Sequence, residues 1–324
     1  MSKTLMHRVL ALVSAATAGV LVLPPAHAYP ERPLRLIVPF APGGGTDILG
    51  RLIAQGLTEG LGQQVIADNR PGAGGNVGAE LAARATSDGY NLVIVSASYA
   101  VNAAVYKLSF DPVKDLTPVI QVASVPFVLL AHPSVPASNV QELLALAKKQ
   151  PGKLNYASSG SGSSPHLAGE LLGMRTGVKL VHVPYKGGAP ALRDLMGGQV
   201  QLLFLTAVAA IPQVQAGRVK ALAVGSLERS SALPNVPTIA ESGVPGYDVT
   251  NWFGILVPAG TPADRIGRLN REINKVLDGV TLKQTLANQG ATPVGGSAAD
   301  FAKVIRDDIA KYKDIVKAAK IQVR

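Results

Sequence analysis

The feature that most constrains this chain is an alternation. Short apolar runs of β character are followed by a glycine-rich break and then by a run of helical spacing. Residues 34–40 predict a strand, Pro42-Gly43-Gly44-Gly45 ends it, and Thr46 opens a helix with Ile48, Leu49, Leu52, Ile53 and Leu57 on one face. A second β-run at 64–67 leads into Arg70-Pro71-Gly72-Ala73-Gly74-Gly75, a helix at 77–86 and a third run at 91–96. Strands alternating with helices predict βαβ units on a parallel sheet.

The pattern restarts in the middle. A long β-rich stretch at 119–131 precedes a helix at 139–149, a strand at 154–157, a Gly/Ser loop at 158–164 and a helix at 165–175. A strand at 179–184, a helix at 189–196 and strands at 200–205 and 219–224 complete a second α/β unit. The tail adds a strand at 252–258 and helices at 262–277 and 298–317. No flexible linker separates the units, so the expectation is two lobes joined by crossing strands, with hinges near 122–128 and 248–254. Ligands of such sheets bind where strand ends meet glycine-rich loops and helix N-termini, which here means the cleft between lobes.

Composition narrows the function. The 324 residues are 47 % hydrophobic, enough for a sizeable core. Cysteine is absent, which excludes a disulfide framework and an iron–sulfur cluster. The five His show no metal-ligand spacing, and neither metal nor cofactor is expected. The formal net charge of +10 is spread thinly, with no Lys/Arg run longer than Lys148-Lys149, so no nucleic acid is expected as partner. Residues 1–28 have the layout of a secretory signal peptide: a basic start with Lys3 and Arg8, an apolar run at 9–23, and Ala26-His27-Ala28 as cleavage site. The run falls short of the roughly 20 residues of a spanning helix. Cleavage near Ala28 and a periplasmic location follow as expectations.

Three loops carry candidate chemistry. In the first, at 40–47, the glycines let backbone approach a ligand and the N–H groups of the following helix favour an anion. Thr46 reads as cap and hydroxyl donor. Asp47 either accepts a ligand ammonium or hydroxyl, or stabilises the first helical turn by roughly 0.3–1 kcal/mol. In the second, at 158–166, Ser164 reads as N-cap with Pro165 next, and Ser158, Ser159, Ser161 and Ser163 offer hydroxyls. One such loop alone is most simply a tight turn; two in separate halves would grip opposite ends of a ligand with two anionic groups, or its carboxylate from both sides. His166 reads as a cap or structural contact rather than a general base, since no Gly-x-Ser-x-Gly elbow surrounds the serines. The third loop presents Tyr185 and Lys186, the lysine either offsetting ligand charge or standing in solvent. Trp252, the one tryptophan, reads as core or lobe junction.

Several motifs, in this order, carry a family likeness: Tyr29-Pro-x-Arg-Pro, Val38-Pro-Phe-Ala-Pro-Gly-Gly-Gly-Thr-Asp47, Asn69-Arg-Pro-Gly-Ala-Gly-Gly-Asn76, Tyr156-Ala-Ser-Ser-Gly-Ser-Gly-Ser-Ser-Pro-His166, Val183-Pro-Tyr-Lys-Gly-Gly-Ala-Pro-Ala191, and Trp252-Phe-Gly with Pro258-Ala-Gly-Thr-Pro262. Over residues 29–324 the chain resembles the periplasmic solute-binding proteins of tripartite tricarboxylate transporters, the Bug family. The resemblance implies a two-lobed Venus-flytrap fold of type II-like α/β lobes, here 29–125 plus 251–324 and 126–250. It implies capture of a di- or tricarboxylate, acidic amino acid or aromatic acid by a monomer, delivery to the transporter's membrane subunits, and no catalysis. Carried over, the ligand is held by Phe40, Gly44, Gly45, Thr46 and Asp47 from one lobe, and by Ser158, Ser159, Gly160, Ser161, Ser163 and His166 from the other. Two positions depart from the family: Tyr99 stands where many relatives have His, and Leu205 where many have an acid. Both changes imply a more apolar distal pocket, suited to an aromatic or aliphatic carboxylate. The alternatives are a ligand-presenting partner of a periplasmic sensor kinase and a Ser/His hydrolase at 158–166.

Overall fold

A computed structural model describes residues 29–319; the expected signal peptide lies outside the described residues. The apolar runs become strands: β1 (Leu34–Val38), β2 (Val65–Asn69), β3 (Asn91–Ser96), β4 (Leu116–Ala131), β5 (Asn155–Ser158), β6 (Val181–Pro184), β7 (Leu202–Thr206), β8 (Lys220–Val224), β9 (Thr250–Pro258) and β10 (Thr292–Gly295). β2, β1 and β3 run parallel, as do β6, β5 and β7. The two groups are not one parallel sheet, however. β9 pairs antiparallel with both β3 and β4, which makes the sheet mixed.

β4 is the element that joins the halves. Its first part pairs with β9 as far as Pro126↔Thr250, and its last five residues pair with β7 from Phe127↔Thr206 onward. Pro126 has no N–H to give a ladder, so it suits the point at which one set of partners ends and the next begins. The second crossing is at β9, where Val249 donates to the Gly225 carbonyl and Gly225 to that of Phe127. Each half has its own core. One gathers Ile37, Val93, Val95, Leu256, Phe301 and Ile305; the other gathers Leu129, Tyr156, Leu172, Phe204, Leu222 and Tyr247. From Arg32 onward both halves pack as one compact unit.

Three helices and β10 were not legible. Ser98–Val105 follows β3 with no glycine break to announce it. Ala207–Gln215 carries Pro212 inside it, and Val280–Asn288 follows the preceding helix after one residue. Two caps also shift by one or two positions. The first long helix, Gly45–Leu61, is capped by Gly44 rather than Thr46, and Ser164–Thr176 by Ser163 rather than Ser164. Glycine and serine both suit the cap, so each helix takes an extra residue where the backbone allows it.

Candidate functional site

Five helices point their first turns at one buried cavity. Their starts contribute Gly44, Gly45 and Thr46; Ser98; Pro165; Gly188; and Thr206, which caps the helix Ala207–Gln215. None of the five has a side-chain cap hydrogen bond. The contrast is the helix Val140–Lys149, remote from the cavity, where the Asn139 side chain accepts from the Glu142 N–H. At the cavity the partial positive ends of the helices favour an anion, although the first N–H of helix Ser164–Thr176 is already taken by Ser98 Oγ. Phe40, Phe127, Phe204, Leu205 and Phe253 form apolar walls, and Ser96, Ser98, Ser159, Thr206 and Asn251 add polar atoms. No lining residue is ionisable. The cavity has about 40 Å³ of room for the centres of water-sized spheres. That is several times the ~10–15 Å³ one water needs.

The halves touch directly around it. Ser164 N–H donates to Ser98 Oγ at 3.0 Å, and the two hydroxyls are 3.1 Å apart. Ala41 N–H donates to the Lys186 carbonyl at 3.1 Å. Gly187 lies beside that bond with φ of 142°, and a Cβ there would come within 2.9 Å of Ala41 N, so only glycine permits the approach. Leu167 of the second half belongs to the apolar core of the first.

Of the fifteen residues named from sequence, six stand on the wall: Phe40, Gly44, Gly45, Thr46, Ser159 and Leu205. The other nine are not on this wall and have partners behind or beside it. Asp47 braces the first loop. Its carboxylate accepts from Gly43 N at 2.9 Å, Arg51 Nε at 3.0 Å and Asn69 Nδ2 at 2.8 Å, and Asn69 Nδ2 also donates to the Phe40 carbonyl. Burial pushes the Asp47 carboxyl up, but the hydrogen bonds from Arg51, Gly43 and Asn69 outweigh it and hold the group below its usual range. These contacts turn the Asp47 carboxylate toward the loop that precedes it and toward Arg51 and Asn69.

The second loop is braced without charge. Ser158, fully buried, has its hydroxyl 2.6 Å from His182 Nε2 and accepts from Gly160 N–H. Ser163 donates to the Gly160 carbonyl at 2.6 Å. Gly162 N–H donates to His166 Nδ1, and the His166 ring stacks on His182 with centroids 3.9 Å apart. Burial lowers both imidazoles, and the charge each would bear adds to this at His182, which is pushed down to about 3; Glu170 opposes the shift at His166. Gly160 and Ser161 likewise belong to the loop and not to the cavity wall.

The remaining residues have local partners. Tyr99 donates to the Pro112 carbonyl at 2.6 Å and reaches only a side chamber shared with Asn102. Tyr185 donates to Asp194 at 2.7 Å; burial and that carboxylate push its hydroxyl up to about 12. Lys186 contributes its backbone carbonyl, and its side chain is exposed. Trp252 is a core residue of the first half, edge-on to Phe301 and donating to Asp308. Sequence reasoning missed Ser96, Ser98, Thr206 and Asn251. Each ends or borders an apolar strand, where no glycine or motif marks it.

Comparison with known proteins decides the class. The model of the tripartite tricarboxylate transporter family receptor matches residues 49–321. The chain belongs to this family. It is 38 % identical to the protein BugT of Bordetella pertussis over 317 residues, 96 % of this chain and 97 % of that one. Among solved structures, the R. palustris protein Rpa4515 with adipate superposes with a TM-score of 0.88 at 40 % identity, covering 91 % of this chain and 99 % of that chain. MatC from Rhodopseudomonas palustris with bound malate gives 0.86 at 33 % identity, covering 89 % and 100 %. Membership makes the chain a solute-binding receptor of periplasmic type with the α/β binding-protein fold, and removes the hydrolase alternative. The geometry agrees on the last point: Ser158, the serine next to a histidine, is sealed from the cavity.

Proposed function

We propose that this chain captures a small organic carboxylate between its halves and delivers it to the membrane subunits of a tripartite tricarboxylate transporter. The observation that carries the reading is the convergence of five helix N-termini on a cavity with no ionisable wall residue. Such a site neutralises an anion with N–H and O–H donors alone. Adipate and malate, held by two related proteins, are carboxylates of the kind such a site would take. Four phenylalanines and Leu205 favour a guest with an apolar body, aliphatic or aromatic, over a fully polar tricarboxylate.

The halves then act as lobes, 29–125 with 251–324 and 126–250, turning at 126–127 and 248–250. A ligand drives closure because only the closed form brings both sets of helix starts onto it. The protein works as a periplasmic monomer freed from a cleaved leader. A thermal-shift screen of the mature protein against mono-, di- and tricarboxylates, acidic amino acids and aromatic acids tests this. A ligand at ~100 times its dissociation constant adds about 2.7 kcal/mol, which raises the midpoint by a degree or more. An aliphatic or aromatic acid is expected to give the largest shift. No shift with any acid, from protein stripped of bound molecules by unfolding and refolding, would overturn the reading.

A further inference from the structure

Thr206 ends β7 and occupies the cap position of the helix Ala207–Gln215, yet its hydroxyl does not cap that helix. The residue is 7 % exposed, and Oγ1 is buried with no hydrogen-bond partner. A buried hydroxyl without a partner forfeits a hydrogen bond and is costly unless something else supplies one. Thr206 lines the cavity, and across the cleft it faces Gly45, the first residue of the opposing helix. A Cβ on Gly45 would overlap Thr206 Oγ1 outright and come within 3.2 Å of Val208 Cγ2. Gly45 has no positive φ, so its glycine is explained by this approach and not by its backbone conformation.

From these observations we infer that Thr206 is a specificity-determining residue: its free hydroxyl donates to the bound carboxylate from the half opposite the Gly45 helix. The inference rests on the proposed carboxylate function. The anion takes N–H donors from the start of helix Gly45–Leu61 on one side and the Thr206 O–H on the other. Because the hydroxyl meets the Gly45 helix only when the halves are together, it contributes to closed-state affinity and not to the open encounter. It also selects for an acceptor at that end of the ligand, since a protonated amine there would face helix N-termini.

The test compares Thr206→Ala with Thr206→Ser, using calorimetric titration of adipate and malate. Both variants lose the γ-methyl, and only the alanine loses the hydroxyl. The expected result is that Thr206→Ala weakens the better-bound acid about tenfold or more, as for loss of a hydrogen bond to a charged group, while Thr206→Ser stays within about threefold of the parent. Ligand-free melting midpoints of the two variants should agree, because the hydroxyl makes no bond within the protein. Equal affinities of the two variants would overturn the role of Thr206 and leave the carboxylate function standing. A parent protein that binds neither acid nor any other carboxylate of the thermal-shift panel would overturn both.

Discussion

The two cleft loops do the same job with opposite materials. Both carry a strand end into a helix start aimed at the cavity. The loop at 40–47 is held from behind by charge: Asp47 gathers Arg51, Asn69 and the Gly43 amide. The loop at 158–166 is held by neutral groups, Ser158 on His182, Ser163 on Gly160, and Gly162 on His166, with the two imidazoles stacked. In neither loop does the bracing side chain face the cavity. Charge and hydroxyl-rich sequence in these two loops therefore mark how each is made rigid. A site preorganised in this way binds through donors that need no reorganisation when the ligand arrives.

The largest effect is expected at Gly45, where the helix of the first loop packs closely against Thr206 and Val208, at the start of helix Ala207–Gln215. Gly45→Ala should reduce affinity for every carboxylate by about a hundredfold or more, since the added methyl meets Thr206 and Val208 only on closure. Small-angle scattering should show that adipate no longer compacts the variant. Closure with parental affinity would mean that the halves do not approach as closely as described.

A smaller effect is expected at the charged brace. Asp47→Asn should weaken plain carboxylates and amino acids alike, by about tenfold, because it loosens the loop rather than removing a ligand contact. Titrations of succinate and aspartate side by side would check this. A loss confined to aspartate would restore Asp47 as an ammonium acceptor.

The least of the three effects separates the loops by pH. The His182 and His166 rings have folded values below the ordinary 6.5, so the unfolded chain takes up protons first. Their contribution to stability is present above about pH 6.5 and is lost as pH falls toward 3. Asp47 is also depressed, but from the carboxylate range: its contribution holds above about pH 4 and fades only below it. Between pH 6.5 and 4 the second loop should weaken while the first does not. Melting midpoints over that window should fall, and His182→Gln should flatten part of the slope. An unchanged slope in the variant would show that the acid sensitivity arises elsewhere.

Much of the fold was legible because its signals are local. The run Asn91–Ser96 reads directly as β3, and Asn139 with Glu142 as a helix start. The antiparallel placement of β9 was not legible, since partner choice depends on contacts more than a hundred residues apart. Gly44 and Gly45 on the cavity wall were legible because a close backbone approach favours glycine, and Phe40 because the family resemblance carried it over. The side chains were harder. Ser158 and Ser159 are neighbours at the end of a strand, where successive side chains point to opposite faces; Ser159 faces the cavity and Ser158 faces His182. Which of the two faces inward depends on register, and sequence alone does not carry it. Thr206 was missed for a related reason: a threonine closing an apolar strand is ordinary, and only the partner across the cleft gives it meaning.

Recognition of a carboxylate through uncharged donors at this cavity is open to direct test. Calorimetric titration of the stripped protein with adipate and, separately, with its diamide tests it most directly. The two guests have the same length and apolar body and differ in charge. Saturable one-to-one binding of the acid is expected, with affinity for the amide lower by about a hundredfold or more. Equal binding of both, or binding of the amide alone, would contradict it.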